Sequence, residues 1–279
     1  SIIEVSSFQL ELLNEVRFDI GVLLNIEQDH MDIHSSYENY KKIKYSILEK
    51  SLFKISYDSN SALPKNTFCF KDLELPKGLI YSKVFKHWPF YDLENLKASL
   101  AVLKCYSEKF CDVSFDQTNL FQELEKTFLK FSKLPHRFEL LSTAKGLHFI
   151  NDSKATNLDS MLKAIEAARI LNEEGDLILI CGGDIKNQEI SSMDISNVSA
   201  VKRILIYGKD KKVLHQFLKS HTDCLCIKDL QEAFEESIRL ASENDIILLS
   251  PGCSSLDMFR DYEERGNEFK RLVANLQNE

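Results

Sequence analysis

Leu147-His-Phe-Ile-Asn-Asp-Ser-Lys-Ala-Thr-Asn-Leu158 is the stretch that decides the fold. Leu147–Ile150 is a short apolar run that reads as a strand, and Leu158–Leu171 carries helical periodicity. Between them Asp152, Ser153, Thr156 and Asn157 crowd a strand-to-helix junction. The free N–H groups at such a helix start can receive an anion. Outward from this unit the alternation continues toward the C-terminus. Strand Leu177–Cys181 ends in Gly182-Gly183, and strand Ile204–Tyr207 ends in Gly208. Helix Lys211–Lys219, strand Cys224–Ile227, helix Leu230–Ser242, strand Ile246–Leu249 and a last helix over Phe259–Leu276 follow. This order predicts an α/β protein with a Rossmann-like sheet and functional loops at the strand carboxyl ends. Toward the N-terminus the pattern predicts strands over Ile2–Ser6 and Ile20–Ile26 and a helix from Tyr37 to Lys50. Two more helices are predicted over Leu93–Phe110 and Asn119–Phe131, and Asp58–Pro89 is loop-rich. A boundary near Ser132–Leu134 divides the chain into domains 1–133 and 134–279.

The 279 residues suffice for two ordinary domains, and 44% hydrophobic with 28% charged residues is a soluble globular composition. A net charge of −8 argues against a general nucleic-acid or membrane-surface role, while leaving room for a local basic pocket. The seven cysteines are odd in number and form no CxxC pair, so free thiols in a reducing cytoplasm are expected. Cys224 and Cys226 share a strand face but have no neighbouring ligand pair, which argues against zinc. No apolar run has the length of a membrane span. The chain opens on Ser1-Ile-Ile-Glu-Val-Ser-Ser, without methionine and inside what reads as a core strand; upstream sequence is therefore expected.

Four segments concentrate reactive side chains. Glu4–Glu11 places Glu4 at a strand end, where a carboxylate can hold magnesium or simply be solvated. Asn25–His34 packs Asp29, His30, Asp32 and His34 after an apolar strand, a set suited to a divalent cation or to an ordinary polar loop. Lys44 lies in the following helix, where a lysine is usually a solvated charge. Leu134–Glu139 with Asn151–Asn157 offers Arg137 as a planar fork and Lys154 as a point charge for phosphate, against a reading of ordinary helix capping. The two charges beside the cap favour a site. Gly182–Lys186 and Ser250–Asp257 follow strands of one predicted sheet, so Lys186 and Ser255 could share a cleft and bind a carboxylate; alone, glycines at turns are more often only turns.

The strings EVSSFQLE (4–11), DHMD (29–32), LPHRFE (134–139), NDSKATN (151–157), GGD-x-K (182–186), SPGCSSLDMF (250–259) and YEERGNEF (262–269) span nearly the whole chain. In this order they resemble the Mur ligase family of ATP-dependent amide-forming enzymes, and within it the branch that adds D-glutamate. The resemblance implies a truncated central P-loop-type ATPase domain followed by a C-terminal Rossmann-like domain. The sequence contains no G-x-x-x-x-G-K-[ST] string of its own. The resemblance also implies ATP and Mg2+ as cofactors, UDP-N-acetylmuramoyl-L-alanine and D-glutamate as substrates, an acyl-phosphate intermediate, and a monomeric enzyme of peptidoglycan synthesis. Carried over by position, Glu4, His30 and a carbamylated Lys44 would serve the metal, with Lys44 and His30 catalytic. Asn95, Arg137, Asp152 and Lys154 would contact nucleotide. Thr156, Lys186, Ser255, Leu256 and Tyr262 would hold D-glutamate. Three departures stand out: Tyr91-Asp-Leu-Glu-Asn95 matches the family's HNxxN pattern only in part, Gly252 stands where the family usually has alanine, and Tyr262 where it has phenylalanine. The competing readings are an amide ligase of the folylpolyglutamate synthase type and a non-catalytic binding remnant.

Overall fold

A computed structural model describes the chain except for residues 28–32, 58, 60–61, 76–78, 80–84, 86–87, 116–119, 132, 173, 187, 189, 191–192 and 278–279. Its residues form two compact units, Ser1–Ser132 and Lys133–Glu279.

In the first unit, β1 (Phe18–Leu23), β2 (Ser51–Ser56) and β3 (Phe68–Cys69) form a parallel sheet in that order. Parallel neighbours need a crossover, and α2 (Tyr37–Glu49) supplies the one between β1 and β2. Ser36 starts α2 by accepting the Asn39 N–H at 3.1 Å. Ile47 and Leu48 of α2 pack with Leu23, while Ala98 and Ala101 of α3 (Phe90–Phe110) pack with Ile55 and Phe70. A further apolar group joins Leu96 and Leu100 of α3 to Leu124 of α4 (Leu120–Phe128).

The expected strand over Ile2–Ser6 is absent. Ser6 instead caps α1 (Ser7–Leu12): its hydroxyl accepts the Gln9 N–H at 3.2 Å, and its own N–H donates to Gln9 Oε1 at 2.8 Å. This reciprocal capping box commits the segment to a helix start. Ile2 and Ile3 are left exposed and joined to no described strand. The strand β2 was not expected, because Ser51–Ser56 follows α2 with no glycine or proline between them.

The second unit is a six-stranded sheet in the order β4-β5-β9-β6-β7-β8. Its strands are β4 (Glu139–Leu140), β5 (His148–Asn151), β6 (Leu177–Gly182), β7 (Arg203–Tyr207), β8 (Cys224–Cys226) and β9 (Ile246–Leu249). Only the edge pair β4–β5 is antiparallel. β6 and β9 are buried along their whole length, which is why their sequences are unbroken apolar runs. The helices are α5 (Leu158–Leu171), α6 (Lys211–Leu218), α7 (Leu230–Leu240) and α8 (Tyr262–Gln277). The crossovers through α5 and α6 step one way along the sheet, whereas α7 steps back to insert β9 between β5 and β6. Right-handed crossovers therefore put α7 on the face opposite α5 and α6. On that face Phe234 of α7 and Phe269 of α8 pack with Phe149, Ile178, Leu205 and Leu249. α8 begins three residues later than the periodicity predicts, since Phe259 precedes a turn capped by Asp261. Among the described residues no helix is long and apolar enough to cross a membrane.

Candidate functional site

Because β9 returns between β5 and β6, the carboxyl ends of these three strands are neighbours. This is the switch-point geometry at which open α/β sheets bind ligands. Their loops are stitched together through backbone groups. Asp152 N–H donates to Leu249 O (2.8 Å), Gly182 N–H to Pro251 O (2.9 Å), and Gly252 N–H to Ala155 O (2.9 Å). Asp184 and Ser254 exchange bonds of 3.1 and 2.9 Å. Gln188 closes the triangle by accepting the Leu158 N–H at 2.9 Å and donating to Ile185 O at 2.8 Å. Gly183, at φ 137°, is required by this approach: a Cβ there would lie 2.2 Å from Ser254 O.

Asp152 is buried at the start of the junction. It accepts the Phe138 N–H and the Ser250 hydroxyl, each at 3.0 Å. Burial pushes its carboxyl up to about 7, against those two bonds and the positive charges of Lys133 and Arg137. Lys154, in the same turn, holds its ammonium 4.2 Å from the centre of the Tyr262 ring. Asn157 caps α5 by accepting the Ser160 N–H at 2.9 Å, and half-buried Thr156 precedes it.

Arg137 is exposed on a turn whose flanking residues, His136 (φ 64°) and Phe138 (φ 44°), are both left-handed. A polar network holds this strained turn. Glu139 accepts the His136 N–H (3.0 Å), the Asn151 amide (3.1 Å) and the Lys270 ammonium (2.6 Å). Asn151 also bonds His136 Nδ1 (3.0 Å) and Gly266 O (3.3 Å). Burial pulls the His136 imidazole below its ordinary value. Burial also opposes ionisation of Glu139, but the Lys270 bond and the His136 N–H win and hold it below the usual range.

Lys186 has φ 53°, unusual for a side-chain-bearing residue. Asp184 Oδ1 accepts its N–H at 2.9 Å, while Asp184 Oδ2 takes the Lys209 ammonium at 2.8 Å. Asp210 accepts the Ile185 N–H at 2.9 Å, which fixes the loop from the other side. Ser255 is buried, and its neighbour Leu256 is 67% exposed. Tyr262 is half-buried and its hydroxyl donates to Glu263 at 3.2 Å, which supplies the partner that replacing a phenylalanine by a tyrosine demands. Gly252, at φ 66°, occupies a left-handed position that glycine fills better than alanine.

The strongest anchor of the site was not anticipated. Arg265 is fully buried and donates to Ser153 Oγ (3.0 Å), Ser153 O (2.8 Å) and Cys253 O (3.1 Å), tying α8 to two of the three loops. In the sequence it sits in a run of charges that looks like a solvated helix face. The available signal was the adjacent Gly266, whose missing Cβ would lie 2.2 Å from His136 Nδ1.

In the first unit, Glu4 is exposed just before α1, and Lys44 is half-buried on α2 with its ammonium 5.7 Å from the Tyr40 ring centre. The buried His34 accepts from or donates to Ser7 Oγ at 2.9 Å and stacks on Phe8 with ring centres 5.2 Å apart, joining the EVSS segment to the approach of α2. Asn95 is exposed on α3. His30, Asp29 and Asp32 lie outside the described residues. Among the described residues no three His, Cys, Asp or Glu side chains form a metal-binding group.

The second unit is thus a doubly wound α/β fold with Arg137, Lys154 and Lys186 on tightly fixed loops at one edge of the sheet. Residues 1–61 match the Mur ligase middle domain, and residues 136–253 match the Mur ligase glutamate ligase domain. The chain belongs to the Mur ligase family. It is 31% identical over 280 aligned residues to the UDP-N-acetylmuramoylalanine–D-glutamate ligase of Francisella philomiragia, covering 99% of this chain and 64% of that protein. The chain thus spans just under two thirds of that curated relative's length. Among solved structures it is similar to the MurF ligase of Thermotoga maritima in complex with ADP, with TM-score 0.62, 16% identity, 96% of this chain and 65% of that chain. It is also similar to E. coli FolC in complex with DHPP and ADP, with TM-score 0.58, 15% identity, 92% of this chain and 62% of that chain. These structural likenesses concern the fold.

Proposed function

We propose that the natural protein containing this chain is a cytoplasmic, ATP-dependent ligase that joins D-glutamate to UDP-N-acetylmuramoyl-L-alanine in peptidoglycan synthesis. The observation that carries this reading is the convergence of NDSKATN, GGD-x-K and SPGCSSLD at one sheet edge, supported by the 31% identity to a ligase of that name. ATP transfers its γ-phosphoryl group to the sugar-peptide carboxylate, giving an acyl phosphate and ADP. The amine of D-glutamate then attacks the acyl carbon, loses a proton, and inorganic phosphate leaves as the amide forms. Charge gathers on phosphoryl oxygens and on the tetrahedral centre, so fixed cations are the chief catalytic resource. Arg137 and Lys154 supply them from the strained turn and the α5 junction. Asp152, hydrogen-bonded on both oxygens, keeps that junction in place. Lys186 and Ser255 receive the D-glutamate carboxylates, with Thr156, Leu256 and Tyr262 beside them, and Asn95 is the adenine-side residue. Magnesium, when bound, would draw charge from the phosphoryl oxygens; Glu4, His30 and Lys44 as a carbamate are its proposed ligands. Phosphate release from ATP should require both UDP-N-acetylmuramoyl-L-alanine and D-glutamate. Release with either one omitted, at the same rate, would remove this assignment.

A further inference from the structure

One pair at the carboxyl edge is joined more closely than separate phosphate and amino-acid sites require. Lys154 Nζ stands 4.2 Å from the centre of the Tyr262 ring. The backbones beneath the two side chains are fixed to each other. Ser153 Oγ donates to Tyr262 O at 2.8 Å, and Arg265, less than a turn beyond Tyr262, donates to both Ser153 Oγ and Ser153 O. Lys154 N–H is held by His136 O at 2.9 Å. The Tyr262 hydroxyl is turned to Glu263, so the ring face and not the hydroxyl meets the ammonium.

We propose that Tyr262 is a positioning residue for Lys154, holding the ammonium by its π face before nucleotide arrives; this rests on reading Lys154 as a phosphate contact and Tyr262 as a wall of the D-glutamate pocket. A lysine has many rotamers to lose on binding, and an aromatic face that already holds the charge removes part of that loss. Because the same ring borders the amino-acid pocket, the affinities for nucleotide and for D-glutamate are linked through one side chain, and such a linkage is reciprocal.

The test compares Tyr262→Leu, which keeps apolar bulk but removes the π face, with Tyr262→Phe, which keeps it. In ligation assays of the natural protein, Tyr262→Leu should raise KM for ATP about three- to five-fold, the size of a partly exposed cation–π contact. Tyr262→Phe should retain the parent KM for ATP. A wall of the D-glutamate pocket and nothing more would move only KM for D-glutamate, and an unchanged KM for ATP in Tyr262→Leu overturns the proposal. A second measurement uses this chain itself. The Lys154 ε-methylene protons, assigned by their loss in Lys154→Arg, should be ring-current shifted upfield in the parent and in Tyr262→Phe but not in Tyr262→Leu. Unshifted protons in the parent also overturn it. Should the parent protein fail to ligate D-glutamate, the functional reading falls, while the proton shifts still decide whether Tyr262 holds Lys154.

Discussion

Replacing Arg265 by leucine tests how the site is held together. The guanidinium is fully buried and donates three hydrogen bonds, two to the carbonyl oxygens of Ser153 and Cys253 and one to the Ser153 hydroxyl. Ser153 Oγ keeps its own bond to Tyr262 O, so the lasting damage is two buried carbonyls without a partner. Each such orphan costs about 1–3 kcal/mol, and loss of a packed guanidinium adds to it, so the total is about 3–5 kcal/mol. That is a large share of the stability of an ordinary domain. Native-state hydrogen exchange reads this in the second unit alone: the slowest amides of β5, β6 and β9 should exchange about a hundred to a few thousand times faster in Arg265→Leu. The control is Arg271→Leu, which removes an exposed pair with Glu268 and should cost no more than about 0.5 kcal/mol. If the two variants exchange alike, Arg265 does not anchor these loops.

Four further outcomes follow from the same geometry. The buried Asp152 carboxyl keeps its proton up to about 7, whereas in the unfolded chain it releases it at about 4. Between those values the native state binds more protons, so stability should fall as pH rises and level off above 7, by at most about 4 kcal/mol. Asp152→Asn should flatten that slope in unfolding experiments from pH 4 to 8; an unchanged slope would contradict it. Burial lowers the His136 pKa, so its imidazole should titrate below about 6.5 by NMR and its contribution to stability should be lost as pH falls; a titration above that value would be inconsistent with its burial. Gly252→Ala places a Cβ 3.0 Å from Leu158 and Met161 at φ 66° and should cost about 1–2 kcal/mol by thermal unfolding. Lys44→Ala should abolish most ligation and recover part of it with added short carboxylates; full activity without them would exclude a carbamate role.

The second unit was the more legible in sequence because its central strands β5, β6, β7 and β9 are largely buried apolar runs that end in glycine or a polar junction. Leu158–Leu171 and Ile246–Leu249 were expected at the bounds the structure gives them. The two-residue strand β4 carries too little pattern to read, since Glu139 and Leu140 pair with β5 only through tertiary context. At the N-terminus, two isoleucines and a valine suggested a strand where a capping box makes a helix start, a local hydrogen-bonding choice outweighing apolar content. Exposed Arg137 and half-buried Lys154 were recognisable from charge beside a helix cap. Arg265, His136 and Asn151 were not, because a buried polar network leaves no periodic trace: its bonded members lie up to 131 residues apart, as Glu139 and Lys270 do.

The most direct test of the proposed activity is mass analysis of the sugar-peptide product formed by the natural protein from ATP and UDP-N-acetylmuramoyl-L-alanine, with D-glutamate or L-lysine offered as acceptor. The proposed function, with Thr156, Lys186 and Ser255 as the proposed D-glutamate contacts, predicts a product one glutamyl residue heavier with D-glutamate and none with L-lysine. Equal conversion of the two acceptors would contradict it.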